Sequence, residues 1–412
     1  MKVGYASHEI TPIEPSYLCG HAIRTEISKG TLDPLYVSCV ILDVDGKKKC
    51  WYSFDLVMLD RDFTIQLQKV VSNIIECNEY EVVCSVIHTH SGPEVSEKGV
   101  FSETSELGAR PGYSEFLFAK CMEALYEALA HLEEANVRYD SFEIEGCFGN
   151  RNGKEHPADK ECICIQFYTS DRVLLTCVNF ACHPTVLGPQ NLYFSADIFG
   201  SIRNRLQEKW NSSVFMMQGA AGDMGTRQFR QGEDNVELSR LTDLLDIQFN
   251  RNWNWINVKS DEIKTIETHF EIDEDIDLSE LQIRYDENKR KLDQETNHDQ
   301  IKLLNSGLAA LKFQMQHGTH YHADLDGSIW KIGKLCFVCL PCELFNQLGV
   351  KIKNAGIDEK IIIWGYAFNG GTSIGYLVDE PQYGKSYESI ATCIKKGTPE
   401  KYCDYIISKL DF

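Results

Sequence analysis

The run Val82-Val83-Cys84-Ser85-Val86-Ile87 is apolar or small at every position and does not alternate. A strand with one face in water shows a period of two. A run without that period is buried on both faces and needs protein packed above and below it. This run stops abruptly at His88-Thr89-His90, followed by the turn Ser91-Gly92-Pro93. Two later segments repeat the design. The apolar stretch 174–182 runs into His183-Pro184-Thr185, and the stretch 335–342 runs into Glu343. Functional groups of open α/β sheets sit just beyond the carboxyl ends of buried strands. Two imidazoles and a carboxylate at three such ends suit a catalytic zinc with an open coordination position. If the first strand continues to His90, His88 and His90 point to one face, so that one imidazole binds metal while the other relays protons.

The rest of the chain reads as mixed α/β, a β-sheet core with helices on both faces. Runs at 37–44 and 49–55 flank Asp45-Gly46, a hairpin turn signal. Asp60 caps a helix through Ile65, Val70 and Ile74, and a second helix follows Ser114. Buried-type strands recur at 161–168, 173–181 and 213–217. The last ends in Gln218-Gly219-Ala220-Ala221-Gly222-Asp223, whose small residues let backbone approach the sheet edge. From about 271 to 316 the chain is heavily charged with leucines in helical register, which predicts an exposed helical hairpin. The 412 residues read as one large domain with that hairpin as an excursion.

Net charge is −20, which argues against nucleic acid or an anionic membrane surface as the main partner. No apolar run approaches the ~20 residues of a membrane span. Sixteen cysteines, with no secretory signal at the start, read as the reduced thiols of a cytoplasmic protein. Cys336, Cys339 and Cys342 have metal-knuckle spacing, but along a strand they point to alternate faces. His317, His320 and His322 lie in a polar stretch with no evident carboxylate partner for a second metal. Glu343 reads as a ligand or as a cap for the helix after it. Asp223 reads as an acceptor for amides of its own turn or as support behind the metal.

With these residues laid out, the chain resembles the catalytic domain of the neutral/alkaline, non-lysosomal ceramidase family. Ile87-His88-Thr89-His90-Ser91-Gly92-Pro93 is similar to its first zinc motif and Asn179-Phe180-Ala181-Cys182-His183-Pro184-Thr185 to its second. The turn Gln218–Asp223 resembles its nucleophile loop, the segment 340–345 its Pro-Gly-Glu-Phe segment, and the stretches 375–383 and 387–388 its tyrosine-rich segment. The resemblance implies zinc on His88, His183, Glu343 and Tyr376. It also implies His90 as acid/base, Tyr387 as oxyanion donor and Arg151, in Gly149-Asn150-Arg151, as a substrate contact. The family's serine two residues after Gly-Asp is replaced by Gly225, with Thr226 beside it. The family's C-terminal immunoglobulin-like domain has no counterpart in the sequence. The function expected is therefore hydrolysis of a linear amide, or of an ester, in a soluble small molecule by zinc-activated water. The alternatives are a true ceramidase, or a binding protein that kept metal and lost chemistry.

Overall fold

The fold is described from a computed structural model covering residues 1–21, 24–95, 109–296, 298–316, 319–368, 374–390, 392 and 394–412. Its strands form three large sheets. The first has six strands in the order Ala367–Phe368, Val82–Val86, Lys47–Phe54, Tyr36–Val44, Lys2–Glu9 and Glu133–Glu134. The second has five: Ser213–Gln218, Val173–Phe180, Glu161–Tyr168, Asn136–Glu143 and Ile256–Val258. The third has four: Ile263–Asp275, His320–Ile332, Leu335–Cys339 and Lys360–Trp364.

Among the described residues each large sheet contains a single parallel strand pair, built around a crossover helix. Lys47–Phe54 and Val82–Val86 are joined through Arg61–Ile75. Val173–Phe180 and Ser213–Gln218 are joined through Asp197–Trp210. Leu335–Cys339 and Lys360–Trp364 are joined through Asn346–Lys353. Helix starts follow sequence chemistry: the Asp60 carboxylate accepts the amides of Asp62 and Phe63 at 2.9 and 3.2 Å. The Asp45-Gly46 turn places both residues at positive φ, 53° and 82°, which suits a tight hairpin.

The non-alternating runs are explained by burial on both faces. In the first sheet Cys50, Tyr52 and Phe54 face one core while Trp51 faces another. In the third, Leu335, Phe337 and Cys339 face the second core while Cys336 and Val338 face a third. Helices pack on the first and third cores, through residues such as Leu67, Leu125, Ile202 and Leu241 on one and Leu348 and Ile406 on the other. The second core is built almost wholly from strand residues of all three sheets. At its centre the Trp51 ring lies 5.7 Å from Trp330, 5.5 Å from Trp364 and 5.1 Å from Phe337. The architecture is thus mixed α/β, with sheets facing inward and helices on the outer faces.

Two local expectations change. The charged segment is not helical from 271, because Ile263–Asp275 is a strand paired along its length with His320–Ile332. The helices begin only at Leu278–Gln294 and continue as His298–Gln316. The strand shows alternating burial that the charge masked, with Ile272 buried between exposed neighbours. The same pairing supplies the carboxylates that sequence did not reveal: Asp273 faces His322 and Asp275 faces His320. His320 and His322 are surface groups, and Glu271, Asp273 and His322 form an exposed cluster. His317 lies outside the described residues. Cys336 and Cys342 face a different core from Cys339, so the three thiols do not form a knuckle. Among the described residues no helix is long and apolar enough to cross a membrane.

Trp51→Ala empties the contact point of the three sheets and should cost about 3–5 kcal/mol in urea unfolding. Ile357→Ala, at a side chain 96% exposed, should change stability by less than about 0.5 kcal/mol.

Candidate metal centre

The three parallel strand pairs deliver the predicted side chains to one place. His88 lies two residues past Val82–Val86, His183 three past Val173–Phe180, and Glu343 follows Leu335–Cys339 on the short strand Cys342–Leu344. Glu343 Oε2 sits 3.4 Å from His88 Nε2 and 3.2 Å from His183 Nε2. His88 has a left-handed backbone, φ 70°, a strained conformation for a residue with a side chain. Its amide donates to the Leu56 carbonyl at 2.9 Å, which holds that conformation in place.

Tautomers are set from behind. His88 Nδ1 meets the Val57 carbonyl at 2.7 Å, and His183 Nδ1 meets the Ala221 carbonyl at 2.7 Å. A carbonyl only accepts, so both Nδ1 atoms carry the proton and both Nε2 atoms present lone pairs. Glu343 also presents lone pairs. Burial, with Arg151 nearby, pushes the His183 imidazole down to about 4. Its Nε2 has no hydrogen-bond partner, so the approach of Glu343 is not aligned as a hydrogen bond. Three acceptors converging in a buried site repel one another unless a cation lies between them, and this donor set fits a divalent metal such as zinc.

Tyr376 stands directly opposite Glu343, because Ile374–Leu377 pairs in parallel with Cys342–Leu344. Its ring lies 6.3 Å from that of His183, and the Arg151 guanidinium sits 5.3 Å above it. His90 completes a trio: His88, His90 and His183 each offer a ligand atom within 4.8 Å of the others. Both ring nitrogens of His90 are buried without a hydrogen-bond partner. Burial first, then His21, His88 and His183, holds its imidazole well below the usual value.

Arg151 is buried, donating to Glu388 Oε1 at 2.6 Å and to the Gly222 carbonyl at 2.8 Å. Asp223 does not face the metal ligands. Its carboxylate accepts from the Asn346 amide and side chain at 2.7 and 2.6 Å, from Asn150 at 2.8 Å and from Gln382 at 3.1 Å. Burial raises its carboxyl to about 6 despite these donors. It brackets the loop behind His183 to the segment after Glu343. Tyr387 opens the short helix Tyr387–Ile390, and its side chain lies outside the described residues.

Three contributors escaped sequence reading. Gln218 Nε2 donates to the carbonyls of Ile87 and Cys182 at 3.0 and 2.9 Å, while its Oε1 accepts the amides of Cys182 and Gly219, both at 3.1 Å. One carboxamide thereby joins the residues immediately before both histidines. Tyr366 donates to Glu343 Oε2 at 3.4 Å and lies 4.3 Å from the His88 ring. Glu388 is wholly buried as the counter-ion of Arg151. For Gln218 and Tyr366 a signal was present, a polar group at or just past the end of a buried run. Glu388 has no such signal.

Gly222 is required by close approach: a Cβ there would lie 2.5 Å from the Glu343 carbonyl oxygen. Gly225, bridged to His183, is different. A Cβ on it would meet His183 Cβ at 3.6 Å and Arg151 Cδ at 3.8 Å, ordinary contacts.

The class so defined is a mixed α/β protein with a candidate metal centre at convergent strand ends. No family profile matches the sequence, and no curated protein matches it. Solved structures do. The neutral ceramidase from Pseudomonas aeruginosa superposes with a TM-score of 0.75 at 15% identity, covering 98% of this chain and 73% of that one. A ceramidase complexed with C2 gives 0.71 at 14% identity, with coverage of 98% and 73%. The fold of this chain is that of the neutral ceramidases, as the motifs implied.

Gln218→Leu, which leaves the carbonyls of Ile87 and Cys182 and the Cys182 amide unpaired, should cost about 3 kcal/mol in thermal or urea unfolding. It should also weaken zinc retention in dialysis against a chelator. Gly225→Ser should fold with a loss below about 1 kcal/mol, read by the same unfolding curve.

Proposed function

We propose that the chain is a zinc-dependent hydrolase of an amide bond in a small molecule. One observation carries the proposal: two imidazole Nε2 lone pairs and a carboxylate oxygen converge at 3.2–3.4 Å, with both Nδ1 atoms already committed to carbonyls. The likeness in fold to neutral ceramidase supports amide cleavage as the reaction. His88, His183, Glu343 and Tyr376 would hold the zinc ion. When bound, the ion supplies Lewis acidity to a scissile carbonyl and acidifies water.

The chain's own residues do the rest. The Val57 and Ala221 carbonyls keep both imidazoles in the ligating tautomer. His90 starts neutral, since burial and its neighbouring imidazoles depress its proton affinity. It takes a proton from the attacking water and returns it to the departing amine nitrogen. Arg24 fixes its backbone, donating to the His90 carbonyl at 2.7 Å. Arg151, held by Glu388, orients the Tyr376 ring beneath it and carries positive charge to the edge of the site. Tyr387 supplies the hydrogen bond to the developing oxyanion. Gly225 offers no hydroxyl, so water serves as the nucleophile.

A second reading, ceramide hydrolysis, is favoured by the identity of the neighbouring folds. Release of fatty acid from short-chain ceramide, faster than turnover of soluble amides, would select it.

Purified protein should hold stoichiometric zinc by elemental analysis, and His183→Ala should lose it along with at least about 1,000-fold of amidase activity. His90→Ala should keep zinc and lose about 100- to 10,000-fold in kcat. A protein without transition metal, in which His183→Ala changes nothing, would refute the metal assignment. Full activity in His90→Ala would refute the proton-transfer role.

A further inference from the structure

Arg227 lies two residues beyond Gly225, on the turn that leaves the short strand Met224–Gly225. That strand pairs with Gly149–Asn150, and Gly225 itself bridges His183. The turn is tied down on both sides of Arg227. The amides of Phe229 and Arg230 donate to the Thr226 carbonyl at 2.7 and 2.8 Å, and Gln228 Nε2 donates to the Arg151 carbonyl at 3.1 Å. Neighbouring arginines are matched: Arg151 by Glu388, and Arg230 by Glu233 and the Thr185 carbonyl. Among the described residues no carboxylate lies within ion-pair distance of Arg227, and no hydrogen bond meets its guanidinium.

Arg227 is half-buried, closed in by protein yet reached by solvent. The charged groups near enough to act on it are Arg151, Glu388, Arg230 and Tyr376, and of these Tyr376 lies beside His183 with Arg151 over its ring. Burial, together with the repulsion of Arg151, pushes its guanidinium down to about 10. Holding a cation beside another cation in a recess costs free energy, and an anion bound there offsets that cost. A guanidinium presents a planar fork that fits one carboxylate with two parallel hydrogen bonds. A single unmatched positive charge balances a carboxylate and not a phosphate dianion, because Arg151 is already neutralised by Glu388.

We infer that Arg227 binds a carboxylate on the substrate, so that the amides hydrolysed are acidic ones of the N-acyl amino acid class. This rests on the hydrolase reading above and names its substrate class.

The test pairs N-acyl amino acids with their carboxamides, which differ only in that charge, on the zinc-loaded wild type, Arg227→Gln and Arg227→Lys. In the wild type the acids should exceed their carboxamides in kcat/KM by about 100-fold, mainly through KM. Arg227→Gln should collapse that ratio toward unity, with zinc content equal to wild type, and Arg227→Lys should restore part of it. Equal turnover of acids and carboxamides by the wild type, or an unchanged ratio in Arg227→Gln, would overturn the assignment. Turnover of no amide by zinc-loaded protein would instead sink the hydrolase reading. The arginine is then judged by calorimetric titration with the same N-acyl amino acids. Binding to wild type that Arg227→Gln loses sustains the site, and binding that is absent or identical in both rejects it.

Discussion

The centre depends on one carboxamide. Gln218 ends a strand of the second sheet and uses all of its hydrogen-bonding capacity on backbone, reaching Ile87 from the first sheet and Cys182 and Gly219 from its own. The two histidines come from chain segments nearly a hundred positions apart, and each sits one residue beyond an atom that Gln218 holds. Ligand geometry must be right to a fraction of an ångström, and a buried, fully satisfied amide is stiff enough to maintain it. Other links between the two sheets, such as Thr89 Oγ1 to the Ser195 carbonyl at 2.7 Å and Ser53 Oγ to the Met216 carbonyl at 2.9 Å, do not touch the residues immediately before the histidines.

From that constraint the electrostatics follow. Each imidazole is locked by a carbonyl behind it, so its remaining lone pair is delivered into the site. Glu343 arrives from the third sheet with Tyr376 beside it in parallel register. Every large sheet therefore contributes one donor through its own parallel pair. The strain at His88, with φ 70°, is of the kind a fold retains where a side chain must be aimed.

The fold and much of the centre were legible in the sequence because burial on both faces and a sudden polar residue leave local marks. Val82–Ile87 into His88, and the runs into His183 and Glu343, carry both marks, and the structure joins them. The ribbon Ile263–Asp275 was hidden because its outward residues are charged and only alternate positions are buried. Asp223 and Arg151 were visible as residues, but what surrounds them was not. Their partners, Asn346, Gln382 and Glu388, lie far along the chain, and only folding brings them near. Gln218 stands in the sequence as the first residue of a small-residue turn, while its bracing role needs two carbonyls from other segments.

The long ribbon has a mechanical consequence. Its inner end is stitched into the third sheet through Ser328–Ile332, and its outer end runs on as only two strands before the helices Leu278–Gln294 and His298–Gln316. From the first of those helices Arg284 reaches the Tyr383 hydroxyl at 2.9 Å, and from the ribbon Glu274 takes the Lys395 amide at 2.9 Å. The stretch between those two anchors carries Tyr387 and Glu388. The appendage is thus a lever resting on the peptide that supplies the counter-charge of Arg151, and its seating bears on how firmly Glu388 is held against that guanidinium.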